Sequence, residues 1–199
     1  MFRKWLENGI AHVGLALREP DEFVARYDHG AAKLPWWVWV ALAVTAILGT
    51  TTYGMTMGIL GGPTKIVVSA VSCTAAAGLA WGVALPTLYV LNSLSGSRLG
   101  VSTTFLAALV TTSWGGLAMI ASIPINWFFT AAVPNPTFVL LVNLAVFTGV
   151  GVAMIDVFGR VMARVEPDRG RRPVFWLLLV GAIGGELFYL FNLFDFTQA

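Results

Sequence analysis

Five stretches of roughly twenty or more apolar residues dominate the chain, at about Pro35–Gly58, Ile66–Leu91, Thr103–Phe128, Thr137–Phe158 and Pro173–Phe194. At about 1.5 Å of rise per residue, each is long enough as a helix to cross a hydrocarbon layer about 30 Å thick. The expected fold class is therefore all-α, a polytopic membrane protein with a five-transmembrane-helix bundle over residues 35–199 and an N-terminal segment over residues 1–34. Composition agrees: 57% of the 199 residues are hydrophobic and 11% charged, with a mean hydropathy of +0.79. A soluble domain has no means of hiding that much apolar surface.

The charges orient the bundle. If five spans alternate, one side holds residues 1–34, Asn92–Ser102 and Gly159–Arg172, and with them Arg3, Lys4, Arg18, Arg26, Lys33, Arg98, Arg160, Arg164, Arg169, Arg171 and Arg172. The other side holds Lys65. Because Lys and Arg are retained on the cytoplasmic face, the N-terminus is expected in the cytoplasm and the C-terminus on the opposite side. Ser69, Ser72, Thr74 and Pro86 dilute the second span, yet removing it from the count would move the five arginines of Gly159–Arg172 across the membrane.

No compact apolar core with a small-residue cleavage site marks the first twenty residues, so an uncleaved chain is expected. Phe2, Trp5, Leu6, Ile10, Val13 and Leu17 recur at helical spacing and predict an amphipathic interfacial helix, lying on the inner leaflet or packed against the protein's own spans. Pro20-Asp21-Glu22-Phe23 predicts a second short helix ending near Gly30. Trp36, Trp37 and Trp39 suit an interfacial aromatic belt where the first span enters, and Trp127, Phe128 and Phe129 suit one at the other interface. Between the helices, small residues allow close approach: Gly78 with Gly82, Gly181 with Gly185, Gly149 with Ala153, and the Ala43, Ala46, Gly49 series.

Within "GAIGGELFYL", Gly181–Leu190, Glu186 is a carboxyl deep in an apolar run. A charge there costs at least a few kcal/mol, so the group must be neutral, paired or beside water. Tyr189 and Asn192 follow at three-residue steps, and Asn143 in the antiparallel fourth span has a comparable depth. Neutral Glu186 is expected to bond Asn143 or the Thr50–Tyr53 cluster. As interhelical glue it contributes about 1 kcal/mol; as a proton or cation site it would serve a transport path. Asp156 stands four residues before Arg160 and predicts a local salt bridge. In the last inner loop Arg164, Arg169, Arg171 and Arg172 are candidate contacts for anionic lipid headgroups, although the topology rule alone demands cations there.

Catalytic constellations are missing from the pattern. His12 and His29 have no Cys or His at ligand spacing, so no metal or cofactor is expected. No histidine lies near Ser69, Ser72 or Ser113, and "GSRLG" lacks the lysine of a phosphate-binding loop. The lone Cys73 permits no internal disulfide. The arginine loop is short and without stacking aromatics, which argues against nucleic acid.

A short amphipathic lead, the Pro20–Phe23 segment before an aromatic-rich first span, five spans, and the second inner turn "LYVLNSLSGSRLGVSTTFLAAL" (Leu88–Leu109) together resemble the Yip family, the Ypt-interacting proteins, and especially its bacterial members. In that family this turn likewise runs from an aromatic-containing helix end through glycine and a basic residue into a polar helix start, matching Gly96, Arg98 and Ser102–Thr104. The resemblance implies a non-enzymatic scaffold. Eukaryotic members bind small GTPases and one another through a longer cytosolic N-terminal region, which has no counterpart in residues 1–34. Scarce lysine beside abundant Ala, Gly, Val and Arg suits a GC-rich bacterium and its plasma (inner) membrane. The expected function is an integral membrane interaction or accessory protein, with membrane lipids and another membrane protein or a homo-oligomer as partners; the alternative is a small transporter or channel component using Glu186 as a titrating site.

Overall fold

The computed structural model describes residues 11–28, 34–169 and 176–194. Among them all regular structure is helical. Residues 11–18 (α1) and α2 (Pro20–Asp28) precede α3 (Trp36–Met57), α4 (Gly62–Leu94), α5 (Val101–Ala132), α6 (Pro136–Val165) and α7 (Trp176–Leu190), with a 3₁₀ turn at Ile59–Gly61. Four helical stretches are long and apolar enough to cross a membrane: Trp36–Met57, Ile59–Leu94, Val101–Ala132 and Pro136–Val165. The apolar part of α7, Leu177–Leu190, is shorter, rising only about 20 Å.

The helices overrun the apolar runs that predicted them. With 33, 32 and 30 residues, α4, α5 and α6 rise about 45–50 Å, well beyond a core about 30 Å thick. Composition marks the part immersed in oil, but the backbone ladder continues until something stops it. Asn135 starts α6 by accepting the Phe138 N–H at 3.0 Å, ahead of Pro136 in the first turn. Gly96 ends α4 in the left-handed region, φ 85°, with the Gly96 N–H on Ser93 O and the Ser97 N–H on Asn92 O. The same device shortens the fifth helix. Asn192 takes φ 55°, its N–H bonds Tyr189 O and the Leu193 N–H bonds Phe188 O. That pair of reverse bonds closes α7 at Leu190, so Asn192, expected as the third member of a polar stripe, is the residue that terminates the helix.

Helices α3 and α5 run parallel and make the closest contact of the bundle. A Cβ on Gly49 would collide with the Gly116 backbone, and one on Gly116 would lie 2.9 Å from Thr45 O and 3.0 Å from the Ala46 Cα. Ser113 Oγ donates to Leu42 O at 2.7 Å along the same seam. On its other side α3 meets antiparallel α4, where Gly54 faces Ala70, Ser69 and Cys73 and Thr51 Oγ1 lies 2.8 Å from Thr74 Oγ1. Half of the apolar window of α5 is buried, against 17–28% in the other three long helices, so α5 is the enclosed member and the rest present apolar surface outward. Of the small-residue sets in the sequence, Ala46 and Gly49 lie in this seam, whereas nothing approaches within 4 Å of a Cβ placed on Gly78, Gly82, Gly149, Gly181 or Gly185.

Helix α2 lies across the end of the bundle where α5 begins and α6 finishes. Phe23 and Val24 are fully buried and cluster with Leu106, Phe158, Val161 and Met162, and Ala16 of α1 joins them. The extension of α6 past the membrane-length run thus forms the seat for the N-terminal segment. Of the predicted amphipathic stripe, Phe2, Trp5, Leu6 and Ile10 lie outside the described residues, while Val13 packs against this core. This end, carrying Arg18, Arg26, Arg98, Arg160, Arg164 and Arg169, is called the basic end below. Trp36 at the start of α3 is 73% exposed, and Trp127 and Phe128 near the opposite end of α5 are exposed too, whereas Trp37 and Trp39 of the expected belt pack against the core.

The glycine contrast is testable. Gly49→Ala forces α3 away from the Gly116 backbone and is expected to lower stability by about 1–3 kcal/mol, whereas Gly78→Ala is expected to be neutral or stabilising, since it adds helix propensity at an open face. Unfolding in mild detergent reads both.

Candidate functional site

Polar side chains gather in three places, and their geometry assigns them different work. The first is a buried network in the half of the bundle away from the basic end. Tyr53 of α3, fully buried, donates its hydroxyl to Asn143 Oδ1 on α6 at 2.9 Å, and Asn143 Nδ2 donates to Val139 O at 2.9 Å. One turn on, Asn126 Nδ2 of α5 donates to Thr56 Oγ1 at 2.8 Å, and Thr56 Oγ1 donates to Tyr53 O at 2.6 Å. Three helices are pinned in register with each amide and hydroxyl bonded, which in a lipid surround is the condition for keeping such groups at all. Of the remaining hydroxyls of the Thr50–Tyr53 stretch, Thr50 and Thr52 bond carbonyls of their own turn, and Thr51 bonds Thr74 of α4.

The second place is at the basic end. Glu166, just past α6, accepts from Ser97 Oγ at 2.8 Å and from the Arg98 N–H at 3.0 Å through Oε1, and pairs with Arg169 Nη1 at 3.0 Å through Oε2. Arg169 also reaches Asn92 Oδ1 at 3.4 Å. With only 17% and 11% of the Arg169 and Glu166 side chains exposed, this node locks the α4–α5 turn onto the segment leading from α6 to α7. Arg169, a candidate headgroup contact, is held in this pair. Arg164 is exposed, and Arg171 and Arg172 lie outside the described residues. Asp156 and Arg160 form the expected i,i+4 pair, Nε to Oδ2 at 3.2 Å, well exposed.

The third place is the face of α7 that points away from the bundle. Leu178, Gly181, Ala182, Gly185, Glu186, Tyr189 and Leu190 are all exposed and recur at helical spacing, while Leu177 is buried in the core and Gly184 faces α4, where a Cβ placed on it would lie 3.8 Å from the Ala80 Cβ. Glu186 therefore does not meet Asn143. The two groups expected to receive it, Asn143 and Tyr53, are bonded to each other, and Glu186 and Tyr189 stand outside with no hydrogen bond among the described residues. Phe188, between them, faces inward against Phe147 with ring centroids 4.7 Å apart. A two-residue offset on a helix is a rotation of about 200°, and that rotation separates Glu186 from the interior.

Depth follows from contacts alone. The Thr51–Thr74 bond levels α3 with α4; six residues along, Ala80 is level with Thr45, and so is Gly184, its neighbour across the seam. Two residues further Glu186 is level with Ile47, about 16 Å from either end of α3. A carboxyl thus sits near mid-height on the outside of the bundle. Comparison with family models, with curated proteins and with solved structures found no match. Whatever this face does must be argued from its own geometry.

Sequence inspection singled out Glu186, Asn143, Tyr189 and the loop arginines but passed over Glu166, Ser97, Asn92, Thr56 and Asn126. Asn126, an amide inside "IPINWFF", carried a readable signal. The Glu166 node carried none, since Ser97 and Glu166 are 69 residues apart.

Glu166→Ala strips Arg169 of its counter-ion and leaves the Ser97 hydroxyl and Arg98 N–H without their acceptor. A loss of about 2 kcal/mol is expected, measured by unfolding in detergent, against under about 1 kcal/mol for Asp156→Ala in the exposed pair.

Proposed function

We propose that the protein is a non-enzymatic integral membrane interaction or accessory protein of scaffold type, and that the outward face of α7 is its contact surface. One observation carries this: Glu186, level with the middle of α3, is exposed with no hydrogen bond among the described residues, while Tyr53, Asn143, Thr56 and Asn126 are bonded inside the bundle. Lipid tails cannot solvate a carboxyl. A neighbouring helix can, and Gly181, Ala182 and Gly185 leave the backbone of α7 open to one.

In this proposal α3 to α6 cross the membrane and α7 enters from the basic end as the fifth helix, with the N-terminus cytoplasmic and the C-terminus opposite, in keeping with the eleven-to-one distribution of Lys and Arg. The resemblance to the Yip family accords with a scaffold role in a bacterial plasma membrane, and exposed Arg164 would meet anionic headgroups. The transport alternative needs a polar route through the bundle; the Tyr53–Asn143 and Thr56–Asn126 bonds instead close the polar interior between α3, α5 and α6.

A photoreactive residue in place of Leu178 is expected to capture a protein neighbour in native membranes, and one in place of Val152, on the exposed face of α6, only lipid. A purified monomer that captures nothing and moves a solute across proteoliposomes, with the flux lost in Glu186→Gln, overturns the proposal. For orientation, Ser95→Cys is expected to react with an impermeant thiol reagent only from the cytoplasmic side and Pro134→Cys only from the other.

A further inference from the structure

The face of α7 has a shape as well as a charge. Small residues, Gly181, Ala182 and Gly185, occupy its middle, and large ones, Leu178 at one end and Tyr189 and Leu190 at the other, are 62%, 68% and 72% exposed. Such a notch lets a second helix cross against the backbone. Glu186 borders the notch, so a helix crossing there passes directly over the carboxyl.

What crosses must answer Glu186 chemically. A carboxyl in its acid form is both a donor and an acceptor, and the group that satisfies it on both counts is another of the same kind. Two carboxylates brought together would repel, and one held charged in lipid is expensive, so the acid form is the one that can pair. The described cations offer no alternative within a like chain: Arg18, Arg26, Arg98, Arg160, Arg164 and Arg169 lie at the basic end, and Lys65 lies at the first turn of α4 on the other. An isologous contact places the same residue of both chains about one axis, which is the arrangement a self-complementary group needs. The other open glycines lack this feature, because Gly78 and Gly82 are flanked outward by Leu79 and Val83, and Thr148 beside Gly149 bonds its own Leu144 O.

We propose that two copies of this chain pair through α7, crossing at Gly181–Gly185 with the two Glu186 carboxyls hydrogen-bonded to each other across a two-fold axis. The pairing rests on the reading of this face as a contact surface and names its occupant. In a Cys73→Ala background, which keeps the Cβ beside Gly54, purified Ala182→Cys in lipid vesicles is expected to cross-link on oxidation to a dimer, and Val152→Cys to stay monomeric. Adding Glu186→Lys to the Ala182→Cys chain should reduce the dimer about tenfold. Mixing that chain with one bearing Ala182→Cys alone should restore it through a Glu–Lys pair, which also shows that the substituted chain is folded. Glu186→Gln, still donor and acceptor, should cross-link as the parent does. Equal cross-linking at Ala182 and Val152, or no recovery on mixing while the Glu186→Lys chain elutes as a single folded species, overturns the pairing. If purified Ala182→Cys stays monomeric while the photoreactive group at Leu178 captures a different protein in native membranes, the second copy is excluded and the contact-surface proposal stands; loss of both captures defeats both.

Discussion

The backbone contact between α3 and α5 is the constraint on which the rest of the bundle depends. In lipid no hydrophobic force draws helices together, so their association rests on dispersion and on hydrogen bonds, both of which need close approach. Gly49 against Gly116 supplies it, and the consequences run in both directions along the seam. Toward the basic end it brings Ser113 to Leu42 O; away from it, the same register brings Asn126 to Thr56. With α3 fixed, its opposite side receives α4 through Gly54, and Tyr53 is left facing Asn143 on α6. A methyl group at one position would disturb bonds several turns away.

Helices were legible in the sequence because the demand that produces them is local. About twenty apolar residues state the thickness of a membrane regardless of what surrounds them, and Asp156 with Arg160 states a salt bridge because both lie on one helix. Legibility ended where the answer depended on which way a helix is turned. Gly49 and Gly78 look alike in a string of letters, yet one is wedged against a neighbouring backbone and the other faces outward. Glu186 and Asn143 were matched by depth, yet the contacts put Asn143 beside Tyr53 and Glu186 level with Ile47, about 9 Å away along the bundle; azimuth separates them as well, since Phe188 and not Glu186 faces Phe147. The boundary of α7 was misread for another reason. Apolar composition continues to Phe194, and only the readiness of Asn192 to adopt a left-handed backbone ends the helix sooner.

The buried network and the basic-end node do opposite jobs with similar groups. Tyr53, Asn143, Thr56 and Asn126 tie transmembrane helices to one another using neutral partners, as an apolar surround requires. Glu166 and Arg169 tie connecting segments to one another with full charges, which is affordable where water and headgroups are near and where Ser97 and the Arg98 N–H share the carboxylate. Among the described residues ionisable carboxyl and basic groups thus lie toward the two ends of the molecule, with Glu186 as the exception in the middle.

Closure of the last helix at Leu190 has a consequence for the surrounding lipid. Level with Thr51, that point falls about 9 Å short of the end of α3, so the helical wall has one low sector among taller ones. With α7 in the membrane as proposed, acyl chains packed there would shorten or tilt while those elsewhere would not. In the proposed arrangement bilayer thickness would act as a lopsided load concentrated at α7, and a change of lipid composition would press on that sector before any other.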